Sequence, residues 1–298
     1  MSQNLLKSLE NKNAVVTGAS MGIWRAVALQ LATAGANVVV NSSGSGGTAP
    51  GPLNELVDEI NRLGGRAVAS MGSVANYAYA KQLIVTCMES FGTIDILINC
   101  AGVKESSGNN ILDMTPEDFQ HVLGVHLSGT FNTCHAAAPI MVKQGSGAII
   151  NTGSRAWLGC YGGTAYPAAK GGTISLTWSM ANDLKQYGIR CNVVCPGAKT
   201  RLSSGPDYIA LIEDLTQRGL LDVALKDSAL NPALPEFVAP LYAYLASDLA
   251  QHINGKIFSG AGGYVGLLRE PVEDLRLYRD HQSGAMWTIE ELADQLHL

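Results

Sequence analysis

Tyr166 and Lys170 stand one helical turn apart in the segment YPAAK, and their side chains could together move a proton. Residues i and i+4 share a helix face, so the phenol and the ammonium are expected to lie close together. A free tyrosine has a pKa of roughly 10, and a nearby cation lowers that pKa by favouring the phenolate. The pair could therefore act as a general acid or base toward a substrate oxygen. Taken alone, this spacing is usually a coincidence on a protein surface.

A second feature is the glycine-rich segment TGASMGIW at 17–24, which follows an apolar run at 13–18. A glycine-rich turn between a strand and a helix can hold the pyrophosphate of a dinucleotide, because backbone N–H groups and the helix dipole face the negative charge. Alone the turn is weak evidence, and its position after the first strand strengthens it.

Strands and helices alternate along the chain and would position these segments. Buried strands are predicted at 13–18, 36–41, 66–70, 94–99, 147–153, 189–195 and 256–260. Helices are predicted at 22–34, 53–63, 76–91, 116–143 and 166–187, with a helical, loop-broken stretch at 203–249. This order predicts an α/β protein with a single Rossmann-fold domain at 1–268, in which a doubly wound parallel sheet of about seven strands has helices on both faces.

Residues 269–298 form a C-terminal extension of different character. Residues 269–286 are polar and lack clear periodicity, and 287–298 predict a short amphipathic helix. Thr288 and Glu291 have the spacing of a capping box. A helix this short is marginal alone, so we expect it to pack either on its own subunit or on a neighbouring one.

Composition excludes several classes of partner. The 298 residues are 47% hydrophobic and 15% charged, with a net charge of −5, which is typical of a globular protein and argues against nucleic acid or an anionic membrane as the partner. No apolar run approaches a membrane span, and the N-terminus does not resemble a secretory signal, so a cytoplasmic location is expected.

The six cysteines form no C-x-x-C pair, which favours buried thiols over disulfides or a metal site.

Four motifs occur together in a familiar order: TG-x3-G, N-x-A-G at 99–102, a serine before Y-x3-K, and P-G at 196–197. With them, about residues 10–265 resemble the short-chain dehydrogenase/reductase family. VHLSGTF at 125–131, FVAPLYAYLAS at 237–247 and the glycine-rich loop after the second strand are similar in particular to the dehydrogenase part of peroxisomal multifunctional enzymes and related bacterial reductases.

The resemblance implies hydride transfer between NAD(P)H and a carbonyl carbon. Tyr166 would be the general acid or base, Lys170 would lower its pKa and hold the nicotinamide ribose, and Ser154 would orient the substrate oxygen. The remaining expected cofactor contacts are Gly18, Ser20, Met21, Gly22, Ile23, Ser42, Ser43, Val74, Asn99, Ala101, Gly102, Pro196, Gly197 and Thr200. No metal is implied.

Trp24 departs from the family pattern, because it replaces the third glycine of the nucleotide turn. Its indole must swing out, push the helix away or fill part of the cofactor site. The favoured interpretation is that the site adapts and still binds nucleotide. The alternative is a non-redox dehydratase, isomerase or cyclase with a weakened or lost nucleotide site. The complete Ser–Tyr–Lys set argues against a non-catalytic scaffold.

Two further departures concern the nucleotide. The segment Asn41-Ser42-Ser43 lacks the carboxylate that binds the ribose hydroxyls of NAD, and it lacks an arginine as well, so NADP is only slightly favoured over NAD. Gly72 replaces an acidic residue that usually contacts adenine.

The catalytic set also differs from the family. His126 stands at the position of an asparagine, where it could hold a water molecule in a proton relay to Lys170 or could simply bind the backbone. Ser154 lies 12 residues before Tyr166, one fewer than expected, and Thr152 is a less favoured substitute.

The segment 203–236 would cover the substrate as a mobile lid. Its apolar residues suggest a lipophilic ketone or secondary alcohol, although core packing explains several of them equally well. These residues are Leu211, Ile212, Leu215, Leu220, Leu221, Val223, Leu225 and Leu230. Trp157, Cys160 and Tyr161 are expected to help wall the pocket. From the family, a homo-oligomer, tetramer or dimer, is expected through the helices at 116–143 and 166–187.

Overall fold

The computed structural model describes residues 8–44, 50–104, 110–159, 163–199, 205–219, 223–282 and 284–296. The strands are β1 (Asn13–Val16), β2 (Asn37–Ser42), β3 (Arg66–Met71), β4 (Ile96–Asn99), β5 (Gly147–Thr152), β6 (Ile189–Gly197), β7 (Ile257–Ala261) and β8 (Tyr264–Leu268). The helices are α1 (Gly22–Thr33), α2 (Pro50–Arg62), α3 (Tyr77–Phe91), α4 (Pro116–Leu123), α5 (Gly129–Gln144), α6 (Ala165–Leu184), α7 (Pro206–Gln217), α8 (Val223–Leu230), α9 (Ala239–Ala246) and α10 (Ile289–Gln295).

The strands form one sheet in the order β3-β2-β1-β4-β5-β6-β7-β8. The pairs from β3 to β7 are all parallel. Every residue of β1 and β4 is buried, as expected where both faces of a strand are covered. One hydrophobic cluster packs α1, α2 and α9 on one face, and a second packs α3, α5 and α6 on the other. The predicted doubly wound α/β fold is confirmed.

The sheet has eight strands, one more than the seven predicted runs. β8 pairs antiparallel with β7, with Ala261 opposite Tyr264. The two residues between them are Gly262 and Gly263, and Gly262 has φ +55°, the conformation that tight hairpins require. A Gly-Gly pair between apolar runs is the sequence signal for this hairpin, and the strand prediction stopped before it.

The long helix predicted at 116–143 is interrupted. Between α4 and α5, residues Gly124–Ser128 form a π-helical turn. A π turn inserts an extra residue into the helix and often marks a functional site. His126 lies in this turn and is buried.

The chain divides after Leu268 into two compact units. In the second unit, α10 carries the predicted capping box, which is confirmed: Thr288 accepts a hydrogen bond from the backbone of Glu291, whose carboxylate accepts one from the Thr288 backbone. Arg279 donates two further hydrogen bonds of 2.9 Å to the Glu291 carboxylate and lies over the Trp287 ring.

Five described cysteines carry free, buried thiols: Cys87, Cys100, Cys134, Cys191 and Cys195. Across the described ranges, no helix combines the length and the apolarity that crossing a membrane requires.

Candidate active site

Tyr166 and Lys170 lie in the first two turns of α6, near the carboxyl edge of the sheet. The helix begins at Ala165, one residue before the predicted start, and Pro167 is its third residue. Lys170 Nζ is 5.5 Å from the centroid of the Tyr166 ring and donates a 2.7 Å hydrogen bond to the Thr152 carbonyl oxygen. Burial lowers the pKa of Lys170 to about 8, because desolvation penalises the ammonium. The structure therefore places a desolvated cation beside the phenol.

Ser154 follows the end of β5 in an extended conformation. It caps a 3₁₀ turn at Arg155–Leu158, where its Oγ accepts a 3.2 Å hydrogen bond from the Ala156 N–H. This turn packs against α6, which carries Tyr166. The cap fixes the Ser154 side chain two residues beyond Thr152, whose carbonyl oxygen holds Lys170.

His126 stands edge-on to Tyr166, with ring centroids 5.1 Å apart and planes at 86°. Its Nε2 lies 3.1 Å from the Val103 N–H and 2.9 Å from the Val103 carbonyl oxygen. A Cβ atom on Gly102 would come within 2.5 Å of the imidazole, so any other residue at this position would displace the His126 ring. Burial, with a smaller effect from Lys170, lowers the pKa of His126 to about 3, and the ring is neutral. His126 Nδ1 is buried with no hydrogen-bond partner among the described residues.

The glycine-rich turn is tied to the end of β4. Gly18 has φ +70°, and a Cβ atom there would lie 2.9 Å from the Ala101 backbone. Thr17 Oγ1 accepts hydrogen bonds from the N–H groups of Cys100 and Ala101. This close approach to the Ala101 backbone requires glycine at position 18. We call the turn from Gly18 to Gly22 the Gly18 cradle, because a pyrophosphate suits a turn at the N-terminus of a helix such as α1. Met21 is the N-cap residue of that helix.

Three serines lie at the end of β2 and in the turn before α1. Ser42 and Ser20 are buried with their Oγ atoms 3.3 Å apart, and Ser42 Oγ accepts a hydrogen bond from the Gly44 N–H. Ser43 is exposed beside them. Hydroxyl groups close to backbone N–H groups can bind either ribose hydroxyls or a phosphate. Gly22 and Ile23 begin α1, and the Ile23 side chain is buried in the core.

Trp24 does not fill the cradle. Its indole packs against the first hydrophobic cluster and meets the Tyr242 ring edge-on, with centroids 6.1 Å apart and planes at 80°. The bulk that replaces the family's glycine is therefore accommodated between α1 and α9. This is the first of the three outcomes that the sequence leaves open for Trp24.

The surroundings of Gly72 explain why this position does not carry the acidic residue that usually contacts adenine in the family. A Cβ atom there would come within 2.3 Å of the Tyr79 ring. Tyr79 OH lies 2.7 Å from Ser70 Oγ and accepts a 2.9 Å hydrogen bond from Asn41 Nδ2. Asn41 also accepts from the Gly18 N–H and donates to the Ser70 and Gly72 carbonyl oxygens. Asn41 and Tyr79 thus brace the nucleotide end of the sheet, a role that sequence analysis missed.

The side chains of two expected cofactor contacts, Asn99 and Val74, are buried inside the protein. Asn99 uses its side chain inside the protein, donating to Asn151 and Cys134 and accepting from Thr133. Val74 is buried against Gly129 in the second cluster. Pro196 and Gly197 end β6 beside β7. Thr200, Cys160 and Tyr161 lie outside the described residues. Trp157 packs against a smaller core cluster formed by Ile174, Val193, Cys195 and Ile257.

A cavity of about 410 Å³ lies in the predicted lid segment, between the end of β6 and the helices α7 and α8. Lys199, Tyr208, Ile209 and Leu230 line it, among others. Of the apolar residues expected to contact substrate, Ile212 and Leu215 are instead buried as core residues.

Comparison with known proteins agrees with this geometry. The family model described as short chain dehydrogenase matches residues 12–204. The 3-oxoacyl-acyl-carrier-protein reductase FabG of Staphylococcus epidermidis is 36% identical over 254 residues, which cover 85% of this chain and 98% of that protein. The hydroxyacyl-CoA dehydrogenase ChsB1 of Mycobacterium tuberculosis is 34% identical over 297 residues, 97% of this chain and 88% of its own length.

Two further relatives extend the comparison. The peroxisomal multifunctional enzyme type 2 of Drosophila melanogaster is 34% identical over 260 residues, 86% of this chain and 40% of that protein. The crystal structure of a short chain dehydrogenase from Mycobacterium avium superposes with a TM-score of 0.78 at 33% identity, and it covers 97% of this chain and 95% of its own. The resemblance predicted from the motifs is confirmed. The chain belongs to the short-chain dehydrogenase family and is an oxidoreductase acting on CH–OH and C=O groups with NAD(P).

Proposed function

We propose that this protein interconverts a lipophilic 3-oxoacyl thioester and its 3-hydroxy alcohol with NADP(H), using Tyr166 as the general acid and base. The observation that carries the proposal is the buried Lys170 ammonium, which lies 5.5 Å from the centroid of the Tyr166 ring. A cation close to a phenol favours the phenolate, and it therefore makes general acid–base catalysis by the phenol easier near neutral pH.

Tyr166, Ser154 and Lys170 have different roles in the proposed reaction. A bound nicotinamide supplies or accepts the hydride. In reduction, the Tyr166 phenol donates its proton to the substrate oxygen, and in oxidation the phenolate takes that proton back. Ser154, held by its own 3₁₀ cap, orients the same oxygen. Lys170 stabilises the phenolate, and in this proposal it would also hold the ribose of the nucleotide.

The serine cluster at the end of β2 supports NADP over NAD. Residues 41–44 read Asn-Ser-Ser-Gly and carry no carboxylate to repel a 2′-phosphate. Ser20, Ser42 and Ser43 offer hydroxyl groups near the Gly44 N–H. A phosphate would find donors here but no arginine, so NADP is favoured modestly.

The proposal that the substrate is an acyl thioester comes from the names of two similar proteins. FabG is named for a 3-oxoacyl group on acyl carrier protein, and ChsB1 for a hydroxyacyl-CoA. Both substrates carry an oxygen at C3 of an acyl thioester, and that shared chemistry is the proposed substrate class. The apolar lid segment suits a long or bulky acyl chain.

The direct test is turnover of acetoacetyl-CoA and a longer 3-oxoacyl-CoA with NADPH and with NADH. Tyr166→Phe is expected to lower kcat by about 100-fold or more, since general acid–base catalysis typically contributes that much. Tyr187→Phe, which changes an exposed tyrosine just beyond α6, is the matched control and should keep wild-type turnover. Undiminished turnover by folded Tyr166→Phe, or none of either thioester by wild type, would contradict the proposal.

We also propose a cytoplasmic homo-oligomer, a tetramer or dimer, that contacts its partner through α5. Phe131 is 47% exposed, and its ring meets His135, which in turn contacts Tyr77 of α3. An exposed aromatic cluster of this kind is typical of an interface. Light scattering of Phe131→Glu should show a smaller assembly than wild type, and an unchanged mass would exclude this surface.

A further inference from the structure

A line of side-chain contacts joins the nucleotide helix to the active-site lysine. Trp24 of α1 meets the Tyr242 ring of α9 edge-on. The Tyr242 hydroxyl lies 3.2 Å from Thr152 Oγ1, and the Thr152 carbonyl oxygen accepts the hydrogen bond from Lys170 Nζ. Trp24 and Tyr242 lie on one side of the sheet and Lys170 on the other, with Thr152 at the end of β5 between them.

Thr152 is held asymmetrically. Toward β6 it pairs with Val194, and the Gly153 N–H donates to the Val194 carbonyl oxygen. Toward β4 the backbone pairing stops one residue earlier, where Asn99 faces Asn151. Beyond that pairing the Thr152 hydroxyl makes two side-chain contacts, with Oγ1 3.3 Å from Cys100 Sγ and 3.2 Å from Tyr242 OH.

The direction of these hydrogen bonds depends on where the single Thr152 hydroxyl proton lies. Either hydroxyl of the Thr152–Tyr242 pair can donate to the other. When Thr152 Oγ1 donates its proton to Cys100 Sγ, the Tyr242 phenol is the donor to Thr152 Oγ1. Tyr242 is fully buried, and desolvation holds the pKa of its phenol well above the usual value, so the donor proton stays in place.

We propose that Tyr242 is a positioning residue for Lys170: its hydroxyl orients Thr152, and the Thr152 carbonyl in turn holds the lysine ammonium against Tyr166. This inference rests on the proposed function of Tyr166 and Lys170. Tyr242 touches neither substrate nor nucleotide in this role, and it acts through Thr152 alone.

Loss of the Tyr242 hydroxyl leaves the packing against Trp24 in place but removes one of the two side-chain contacts of Thr152. The ammonium then has a less fixed acceptor and spends less time beside the phenol. The phenolate loses stabilisation, so the tyrosine ionises at higher pH during turnover.

The experiment measures kcat/KM for oxidation of 3-hydroxybutyryl-CoA with NADP⁺ across pH, in wild type, Tyr242→Phe and Tyr244→Phe. Tyr244 lies on the same helix but is 38% exposed, so it controls for removal of a hydroxyl from α9. For Tyr242→Phe we expect the apparent pKa of the required base to rise by about half a unit, a roughly three-fold loss of kcat/KM below that pKa and little loss above it.

A uniform loss at every pH, or no change, would overturn the proposal, because a role confined to packing does not move the pH profile. If Tyr242→Phe does not fold, Thr152→Val and Thr152→Ser replace it: the valine removes the hydroxyl and should shift the profile, and the serine keeps it and should not. Equal profiles for those two variants would also overturn the proposal. Tyr166→Phe separates the two hypotheses: if it keeps full activity, the proposed function fails, and if it alone loses activity, only the role of Tyr242 fails.

Discussion

The Tyr79 ring occupies the space that a side chain at position 72 would need. A Cβ atom on Gly72 would come within 2.3 Å of Tyr79 Cε2. The Tyr79 hydroxyl is in turn fixed by Asn41 and Ser70, so the ring cannot move aside without breaking both contacts.

Gly72→Asp, which restores the family's acidic residue, is therefore expected to lower the free energy of unfolding by about 1–3 kcal/mol through overpacking. It is also expected to leave NADP(H) affinity no better than wild type. Urea unfolding and calorimetric titration check the two effects. Gly51→Asp is a matched control, since nothing lies within 4 Å of its Cβ position and an acid suits the start of α2. Tighter NADP(H) binding by Gly72→Asp would refute this account of Tyr79.

Trp24→Gly makes the nucleotide turn conform to the family pattern but leaves a void beside Tyr242. We expect a loss of about 2 kcal/mol in the free energy of unfolding, less than for a fully buried aromatic side chain, because Trp24 is only partly buried against the first cluster. Because the indole packs away from the Gly18 cradle, the Kd for NADPH should change by less than about ten-fold, which corresponds to 1.4 kcal/mol. A much tighter complex in the variant would show that Trp24 obstructs the site. Trp24→Phe should lie between wild type and Trp24→Gly in stability.

His126 makes stability depend on pH. Its folded-state pKa is lowered from 6.5 to about 3, so as the pH falls the unfolded chain takes up this proton first, and acid favours unfolding. As the pH falls from 6.5 toward 3, the titration of His126 should lower the free energy of unfolding by up to about 1.4 kcal/mol per pH unit. Urea unfolding at several pH values should show a shallower dependence in His126→Asn. The exposed His252→Asn controls for removal of one histidine. Parallel curves for wild type and His126→Asn would rule out this role.

The C-terminal unit depends on one carboxylate. Glu291 accepts from the two terminal guanidinium nitrogens of Arg279, Nη1 and Nη2, and from the Thr288 backbone N–H, and these contacts lower the pKa of Glu291 to about 2. Glu291→Gln should therefore speed amide hydrogen exchange in α10 relative to wild type. Glu290→Gln removes the neighbouring first-turn charge without touching Arg279, and it should have a smaller effect. Equal exchange in the two variants would mean that the Arg279 contacts do not hold the helix.

Most of the fold could be predicted from sequence because parallel strands buried on both faces appear as continuous apolar runs, as in β1, β2 and β4. β8 was missed because the strand prediction stopped at the Gly-Gly pair before it. Its residues, YVGLL, form a short apolar run, but they are exposed or half-buried rather than buried on both faces. The π turn at His126 escaped because one inserted residue barely disturbs helical periodicity.

The candidate site was less predictable, since its supports are distant in sequence. The i, i+4 spacing of Tyr166 and Lys170 reveals their proximity, and motif order reveals the glycine turn. The fate of Trp24 depends on Tyr242, which only the packing of α9 on α1 brings near. Asn99 has the family's motif position, yet its side chain lies in a buried polar network that no local pattern encodes.

The buried thiols have a practical consequence. Desolvation raises the pKa of Cys100 and Cys195 to about 12, and only a thiolate reacts readily with alkylating reagents. In the folded protein these sulfurs should stay inert even though both lie near the charge of Lys170. Once the sheet opens, their reactivity returns to that of ordinary cysteine. The rate at which an alkylating reagent labels these native cysteines therefore reports how often the sheet beneath the active site opens.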